Sequence, residues 1–592
     1  MGAVVGQALL EAAVLVAAVT ALALPFSNYV VKAMEGCPMT ARRVLGPLER
    51  GCERLVGADD EAPMGWKRYL LCALALTAVG CAGLFAILLL QGVLPANPKE
   101  LPGLPVDTAF NVAASFATNT DWQAVAGESH LSYFSQAVGL TVENFLSPAV
   151  GVAVAFALMR GLWSRGGEAV GNFFVDVTRA LIYVLVPLAL VGCIVGMAEG
   201  IPQTLEPYET VQLVEPVAVD GEGNVVAAGD PSAVREVTEA VVPLGPQASQ
   251  VSIKQIGTNG GGFNGANSAS SLENPTPLTN LLQCGAIMLL PLTLIFCFGR
   301  MVADRRQGRA LMTAVLVLLA AGVAALIAAE FAATPQLSDG GAVYTGNVGQ
   351  SAGNMEGKEV RIGTGSTALW TALTTAAANG SSNGSLAGLT PLGLVVPLVF
   401  MGVGEVVGGG VGTGLASLLG FTILTVFIAS LMVGRAPEYL GKKIGPAEMR
   451  LAVVMAVAPS LLMLAGAAVL VLVPAAAQTV GGGGPEGFAN AFYAAVSAGA
   501  NNGSALGGFH ADNPWANGVL GAEMILGRVV ALGCTMALAG RFAAREPQAQ
   551  AAGSLSTASP LFVVLLVVIV VLVGALTLVP ALALGPVALA VS

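Results

Sequence analysis

Charge is scarce in this chain. Of 592 residues, 36 are acidic and 26 are Lys or Arg, 10% in all, against about 25% in a soluble domain. That excludes an ordinary water-facing globule, and the net charge of −10 points to an acidic protein repelled by nucleic acid. Histidine is nearly absent: His130 and His510 stand in outside loops without ligand spacing, which leaves no histidine-built metal centre. The eight cysteines give no disulfide framework, because Cys37 and Cys52 share a basic loop and the rest lie in apolar runs. The chain also lacks a GxxxxGK[ST] phosphate loop and an Asp-Lys-Thr-Gly phosphorylation motif, so it carries no recognisable apparatus for splitting a nucleotide.

Apolar sequence is what remains. Hydrophobic residues make up 55% of the chain and the mean hydropathy is +0.76, with runs long enough to cross roughly 30 Å of hydrocarbon as helix. Ten spans are predicted, at 3–26, 69–93, 131–159, 177–200, 279–299, 310–333, 388–432, 448–476, 518–543 and 560–588. The seventh is too long for one straight helix and is expected to be broken. The first carries Glu11, lacks a basic leader and exceeds a signal-peptide core, so it reads as a span. Loops after the odd spans hold 20 of the 26 basic residues and loops after the even spans hold 5. The positive-inside rule therefore predicts a multi-pass protein with the N-terminus outside and the basic loops in the cytoplasm.

The four even loops resemble one another. Each runs from a short helical stretch into an Asn/Gly/Ser/Thr turn: FNVAASFATNTDW from Phe110, IKQIGTNGGGFNGANS from Ile253, TALTTAAANGSSNGS from Thr371, and AFYAAVSAGANNGSALGGF from Ala491. The expected fold is all-α, with four helix–pore-loop–helix repeats around one pore and one extra helix at each end. The N-terminal extra helix is placed at 1–30. Repeat 1 covers 69–159 with its loop at 107–123, repeat 2 covers 177–299 with 252–268, and repeat 3 covers 310–432 with 366–385. Repeat 4 covers 448–543 with 487–508, and the C-terminal extra helix covers 560–588. Re-entrant backbone survives at membrane depth only when buried in protein or lining water, so four such turns need a common centre.

Such turns suit a monovalent-cation filter. Peptide carbonyls replace a hydration shell without a trapping charge, glycine and asparagine accept the dihedrals that aim them inward, and each half-helix turns its negative end toward the ion. The filter is expected to comprise Thr118, Asn119 and Thr120; Thr258, Asn259, Gly260 and Gly261; Ala378, Asn379 and Gly380; and Asn501, Asn502 and Gly503. Thr118-Asn119-Thr120 is aligned with Thr258-Asn259-Gly260. Asp121 is the only carboxylate close to these turns, too few for a divalent site.

The blocks TNTDWQ (118–123), GTNGGGFNGANS (257–268), LENPTPLTN (272–280), GEVVGGGVGTG (404–414), GRAPEYLGKKIG (434–445) and NNGSALGG (501–508) resemble the potassium-transporting ATPase A subunit family over nearly the whole chain. The resemblance implies K+ as the transported ion, selected outside and passed toward a P-type ATPase B subunit that hydrolyses ATP, with a C subunit and a single-span F subunit completing the complex. It implies no ATP site on this chain, lipid as its other contact, and no nucleic acid. A free-standing channel or ion-coupled symporter of the same build is the alternative.

Intramembrane charges are the remaining candidates. Glu405 and Arg435 flank the broken seventh span and, with Gly408, Gly409 and Gly410 as a hinge, are the expected gate or coupling elements. Arg528 and Glu523 in the ninth span are expected to pair structurally, with each other or with another helix. Glu143 in the third span is left between a functional and a structural role. Lys442 and Lys443 are expected to meet anionic lipid.

Overall fold

A computed structural model describes residues 2–57, 62–221, 226, 234–332, 353–511, 513–548 and 556–591. All ten expected spans are present among them: Gly2–Met34, Trp66–Val93, Ser135–Trp163, Phe173–Ala198, Pro277–Met301, Arg305–Phe331, Thr413–Met432, Pro446–Leu472, Pro514–Ala543 and Pro560–Leu584. Several start where the sequence provides a stop for water and a start for helix. Thr276, Asn513 and Ser559 accept from backbone amides of the first turn, each followed by a proline at the first helical position, where its missing N–H costs nothing.

The seventh span is broken as expected. A short helix, Val395–Gly402, gives way to an irregular turn before Thr413–Met432 resumes. Burial ranks the layers: in the third span 83% of the apolar window is covered by protein, against 17% in the first two. The third span is thus the central strut, built almost entirely of apolar residues from Ala149 to Met159, and the first two are largely exposed.

The basic loops meet on one face. Arg160 in the last turn of the third span binds Glu35 after the first at 2.9 Å and Asp176 at 2.7 Å, and Arg179 binds Glu49 at 2.9 Å. Lys442 corrects the lipid expectation. It is buried, and its Nζ donates to the carbonyls of Phe542 at 2.6 Å and Gly161 at 3.1 Å, where the ends of the ninth and third spans leave carbonyls unpaired and attract a cation.

On the opposite face, the loop expected at 201–252 forms a two-stranded antiparallel hairpin, β1 (Glu209–Val219) with β2 (Arg235–Val242). Most of the loop expected at 334–365 lies outside the described residues. Its last part is tied down by a buried ion pair, Lys358 to Glu330 at 2.9 Å, with Glu330 also accepting from Thr390 N at 2.8 Å and Asn354 Nδ2 at 3.0 Å. Removing one partner of such a pair strands a buried charge. Lys358→Met is therefore expected to lower stability by about 3–5 kcal/mol, and Lys358→Met/Glu330→Leu to recover most of that; thermal unfolding of the purified protein checks both.

Candidate functional site: four re-entrant turns in a ring

Four half-helices, Val106–Ala117, Gln247–Ile256, Gly363–Ala376 and Gly484–Gly499, each end at one of the Asn/Gly turns. The turns share one hydrogen-bond signature. Thr120 N donates to Ser115 O at 2.9 Å, Asn259 N to Lys254 O at 2.8 Å, Asn379 N to Thr374 O at 2.8 Å, and Asn502 N to Ser497 O at 2.9 Å. Positive φ falls on either side of that residue every time: Asn119 and Asp121, Thr258 and Gly260, Ala378 and Gly380, Asn501 and Gly503.

This signature corrects the register of repeat 1 by one residue. Asn119-Thr120-Asp121 corresponds to Thr258-Asn259-Gly260, so Asp121 occupies the place that glycine holds in the other three repeats. Thr118 falls back to the helix end, where its hydroxyl bonds Ala114 O at 2.8 Å and Thr120 Oγ1 at 2.8 Å.

The turns touch in cyclic order. A Cβ on Gly260 would overlap the carbonyl oxygen of Asn379, one on Gly380 that of Asn502, and one on Gly503 that of Thr120. Repeats 1 and 2 close the ring through side chains: Asn119 Nδ2 donates to Thr258 O at 2.8 Å, and Asn259 Nδ2 to Asp121 Oδ2 at 3.1 Å. Gly261 packs on the Asp121 backbone, and Asn501 Nδ2 donates to Thr120 Oγ1 at 2.8 Å. Among the described residues, the equivalent carbonyls of Thr120, Asn259, Asn379 and Asn502 accept no hydrogen bond, although all four residues are fully buried. Buried carbonyls are rarely left without a partner. These four stand at equivalent positions of turns in mutual contact, and among the described residues no cluster of three His, Cys, Asp or Glu side chains that could hold a metal ion is present.

Residues one turn back brace the ring. Trp370 Nε1 donates to Ser381 O at 3.0 Å and Tyr493 Oη shares a hydrogen with Ser504 Oγ at 2.9 Å; each aromatic sits four residues before the carbonyl that receives its turn's amide. The sequence reading missed both, and the recurrence of a large aromatic at that offset in repeats 3 and 4 was the available signal.

The break in the seventh span is lashed to the ring. Gly409 N donates to Ala376 O at 2.8 Å and Val411 N to Thr258 Oγ1 at 3.0 Å. Glu405, at φ +63°, folds back to accept from Gly410 N at 3.0 Å and Thr413 Oγ1 at 2.5 Å. Beside it lies a cavity of about 40 Å³ lined by Glu405, Thr413, Ser417 and Asn501 among others. Gly408 and Gly409 have positive φ. Arg435 does not belong to this group: the 20-residue helix Thr413–Met432, about 30 Å long, separates it from Glu405.

Arg528 and Glu523 do not pair with each other either. Arg528 Nη2 donates to Ser147 O at 2.9 Å, whereas the Glu523 carboxylate packs against Gly466 and Gly499; five residues along a helix point two side chains apart. Glu143 is buried with its carboxylate against Gly80.

Ten spans carrying four re-entrant turns in a closed ring define a multi-pass membrane protein of the pore-loop class. The chain belongs to the potassium-transporting ATPase A subunit family, KdpA, whose model it matches over residues 13–591. It is 47% identical over 548 residues to the potassium-transporting ATPase potassium-binding subunit of Desulfovibrio desulfuricans, covering 92% of each chain. It is 43% identical over 542 residues to the protein of that name from Clostridium botulinum, again covering 92% of each. Among solved structures, it is similar to the potassium transporter TrkH from Vibrio parahaemolyticus, with 16% identity and a TM-score of 0.49 over 87% of this chain and 95% of that one.

Proposed function

We propose that this chain is the potassium-binding and translocating subunit of an ATP-driven uptake complex of the bacterial plasma membrane. The observation that carries the reading is the ring of four buried, uncommitted carbonyls from Thr120, Asn259, Asn379 and Asn502. In this reading, those oxygens and the turns around them, from Thr118 to Asn501 and Gly503, exchange for the water shell of K+ at the outer face. Four half-helix C-termini add a negative potential without a fixed charge. The N-terminus lies outside, and the basic face meets the cytoplasm.

Below the ring, Glu405 and the glycines at 408–410 govern passage of the ion toward a P-type ATPase subunit, which supplies the hydrolysis, with a C subunit and a single-span F subunit completing the assembly. The names carried by the relatives support a role as the potassium-binding subunit of such an ATPase. The test is potassium uptake into liposomes by the purified complex and by this chain alone. Uptake is expected to require ATP and the co-purifying ATPase subunit. Full-rate flux through this chain alone, independent of ATP, overturns the reading in favour of a channel or symporter.

A further inference from the structure

One repeat differs from the others in what stands behind its turn. The residue whose carbonyl receives the turn's amide is Ser115, Thr374 and Ser497 in repeats 1, 3 and 4, and Lys254 in repeat 2. Lys254 is fully buried, as is its partner Glu273. Burying an ammonium is costly unless it is paired and hydrogen-bonded, and here it is both. Lys254 Nζ binds the Glu273 carboxylate and donates to Asn267 Oδ1 at 2.6 Å. Asn267 Oδ1 also accepts from Ser268 N at 2.8 Å, and its Nδ2 donates to the Gly260 carbonyl at 2.5 Å. Glu273 Oε1 accepts from Asn264 N at 2.8 Å and Asn264 Nδ2 at 3.1 Å.

The consequence for the ring is specific. Lys254 is donor-only, so it draws the oxygen of the Asn267 amide and leaves the NH2 end toward Gly260. The Gly260 carbonyl is thereby held outward on Asn267, while the Asn259 carbonyl one residue earlier stays uncommitted. The backbone of Lys254 also accepts from Gly260 N at 3.2 Å and, across the repeat boundary, from Asn379 Nδ2 at 3.0 Å. The charge pair lies against Gly262, whose added Cβ would stand 2.8 Å from Lys254 Nζ and 2.9 Å from Glu273 Oε1, two residues beyond the ring glycine.

We propose that Lys254 and Glu273 are positioning residues for ion selection: a charge-balanced brace, built on a position that Ser115, Thr374 and Ser497 hold in the other repeats, that orients the Gly260 peptide and sets the local field met by the cation. The proposal rests on the reading of the ring as a potassium filter. Its signature is a pair of opposite shifts. Glu273→Gln leaves an ammonium beside the ring and is expected to raise the half-saturating potassium concentration about tenfold. Lys254→Met leaves a carboxylate and is expected to lower that concentration or leave it no higher, while discrimination against sodium falls. A brace that serves only folding would instead weaken both variants in the same direction and in step with their thermal stability.

The measurement is ion uptake by the complete complex in liposomes, with sodium and rubidium as competitors. Because either single variant is at risk of failing to assemble, Lys254→Met/Glu273→Leu is included; replacing a buried pair by apolar residues of similar volume is often neutral for stability. That double variant is expected to assemble and to lose at least about threefold in discrimination against sodium. Same-direction shifts in the single variants, or unchanged discrimination in an assembled double variant, overturn the proposal. Gly380→Ala, measured alongside, separates the two readings: if it too leaves uptake and selectivity untouched, the filter reading falls first.

Discussion

Alanine at Gly380 or Gly503 is expected to raise the half-saturating potassium concentration for uptake by about a hundredfold or more and to erase most discrimination against sodium. The reasoning is steric before it is electrostatic. Gly380 and Gly503 have φ of +86° and +94°, a region that costs a residue with a Cβ roughly 1–2 kcal/mol. The new Cβ would also overlap the carbonyl oxygen of Asn502 in one case and of Thr120 in the other. Backbone stands there, so no side chain can swing aside, and the neighbouring turn has to move. Since those two oxygens belong to the four that accept nothing else, the movement is transferred straight to the ring.

Gly260→Asp adds a charge to the same clash with Asn379 and is expected to be worse still, with potassium and rubidium no longer distinguished. Gly533, which has open space around it, provides the control: Gly533→Ala is expected to leave uptake unchanged. Competition of sodium and rubidium with potassium uptake reads all four variants. Unchanged affinity in Gly380→Ala and Gly503→Ala together would remove the ring from the mechanism.

The plan of the molecule was legible because lipid imposes long, nearly charge-free runs, and four weak Asn/Gly signals gained force by recurring between the same kinds of span. The broken seventh span announced itself through length and through the glycines around Gly408. Register was harder to read. A turn of Thr, Asn and Gly offers several superpositions one residue apart, and only the amide bond to Ser115, together with the positive φ at Asn119 and Asp121, decides among them. Side-chain pairing was the least legible. Lys254 is one of the five basic residues counted in the even loops, and Glu273 and Asn267, brought back by the return chain, make it a buried one. Lys442 looked like a lipid anchor because sequence shows its charge and not the two helix ends that converge on it. Arg435 was grouped with Glu405 by their common span, and the resumed helix then carried it away.

Asp121 is where the sequence departs most from its own repeat, and it gives the second large prediction. It holds the glycine position of the ring with φ +55°, a conformation that aspartate and asparagine tolerate better than most residues. Its carboxylate accepts from Asn259 Nδ2 at 3.1 Å, and Asn144, with its amide turned toward its acceptors, donates to Asp121 Oδ1 at 2.7 Å. Where the other three junctions close by backbone pressed on backbone, the junction of repeats 1 and 2 closes through this side chain. Asp121→Ala removes the acceptor and keeps the strained φ; the two costs, about 1–3 and 1–2 kcal/mol, predict a rise in half-saturating potassium of roughly a hundredfold. Asp121→Gly relieves the backbone but takes one acceptor each from the Asn259 and Asn144 amides, so it is expected to fall between alanine and the native residue. Asp121→Asn preserves both the φ preference and one acceptor and is expected to be the mildest. If the carboxylate instead served the ion as a direct charged ligand, asparagine would be as damaging as alanine, so the order of asparagine, glycine and alanine in potassium titrations of uptake decides whether repeat 1 contributes through its backbone or through its charge.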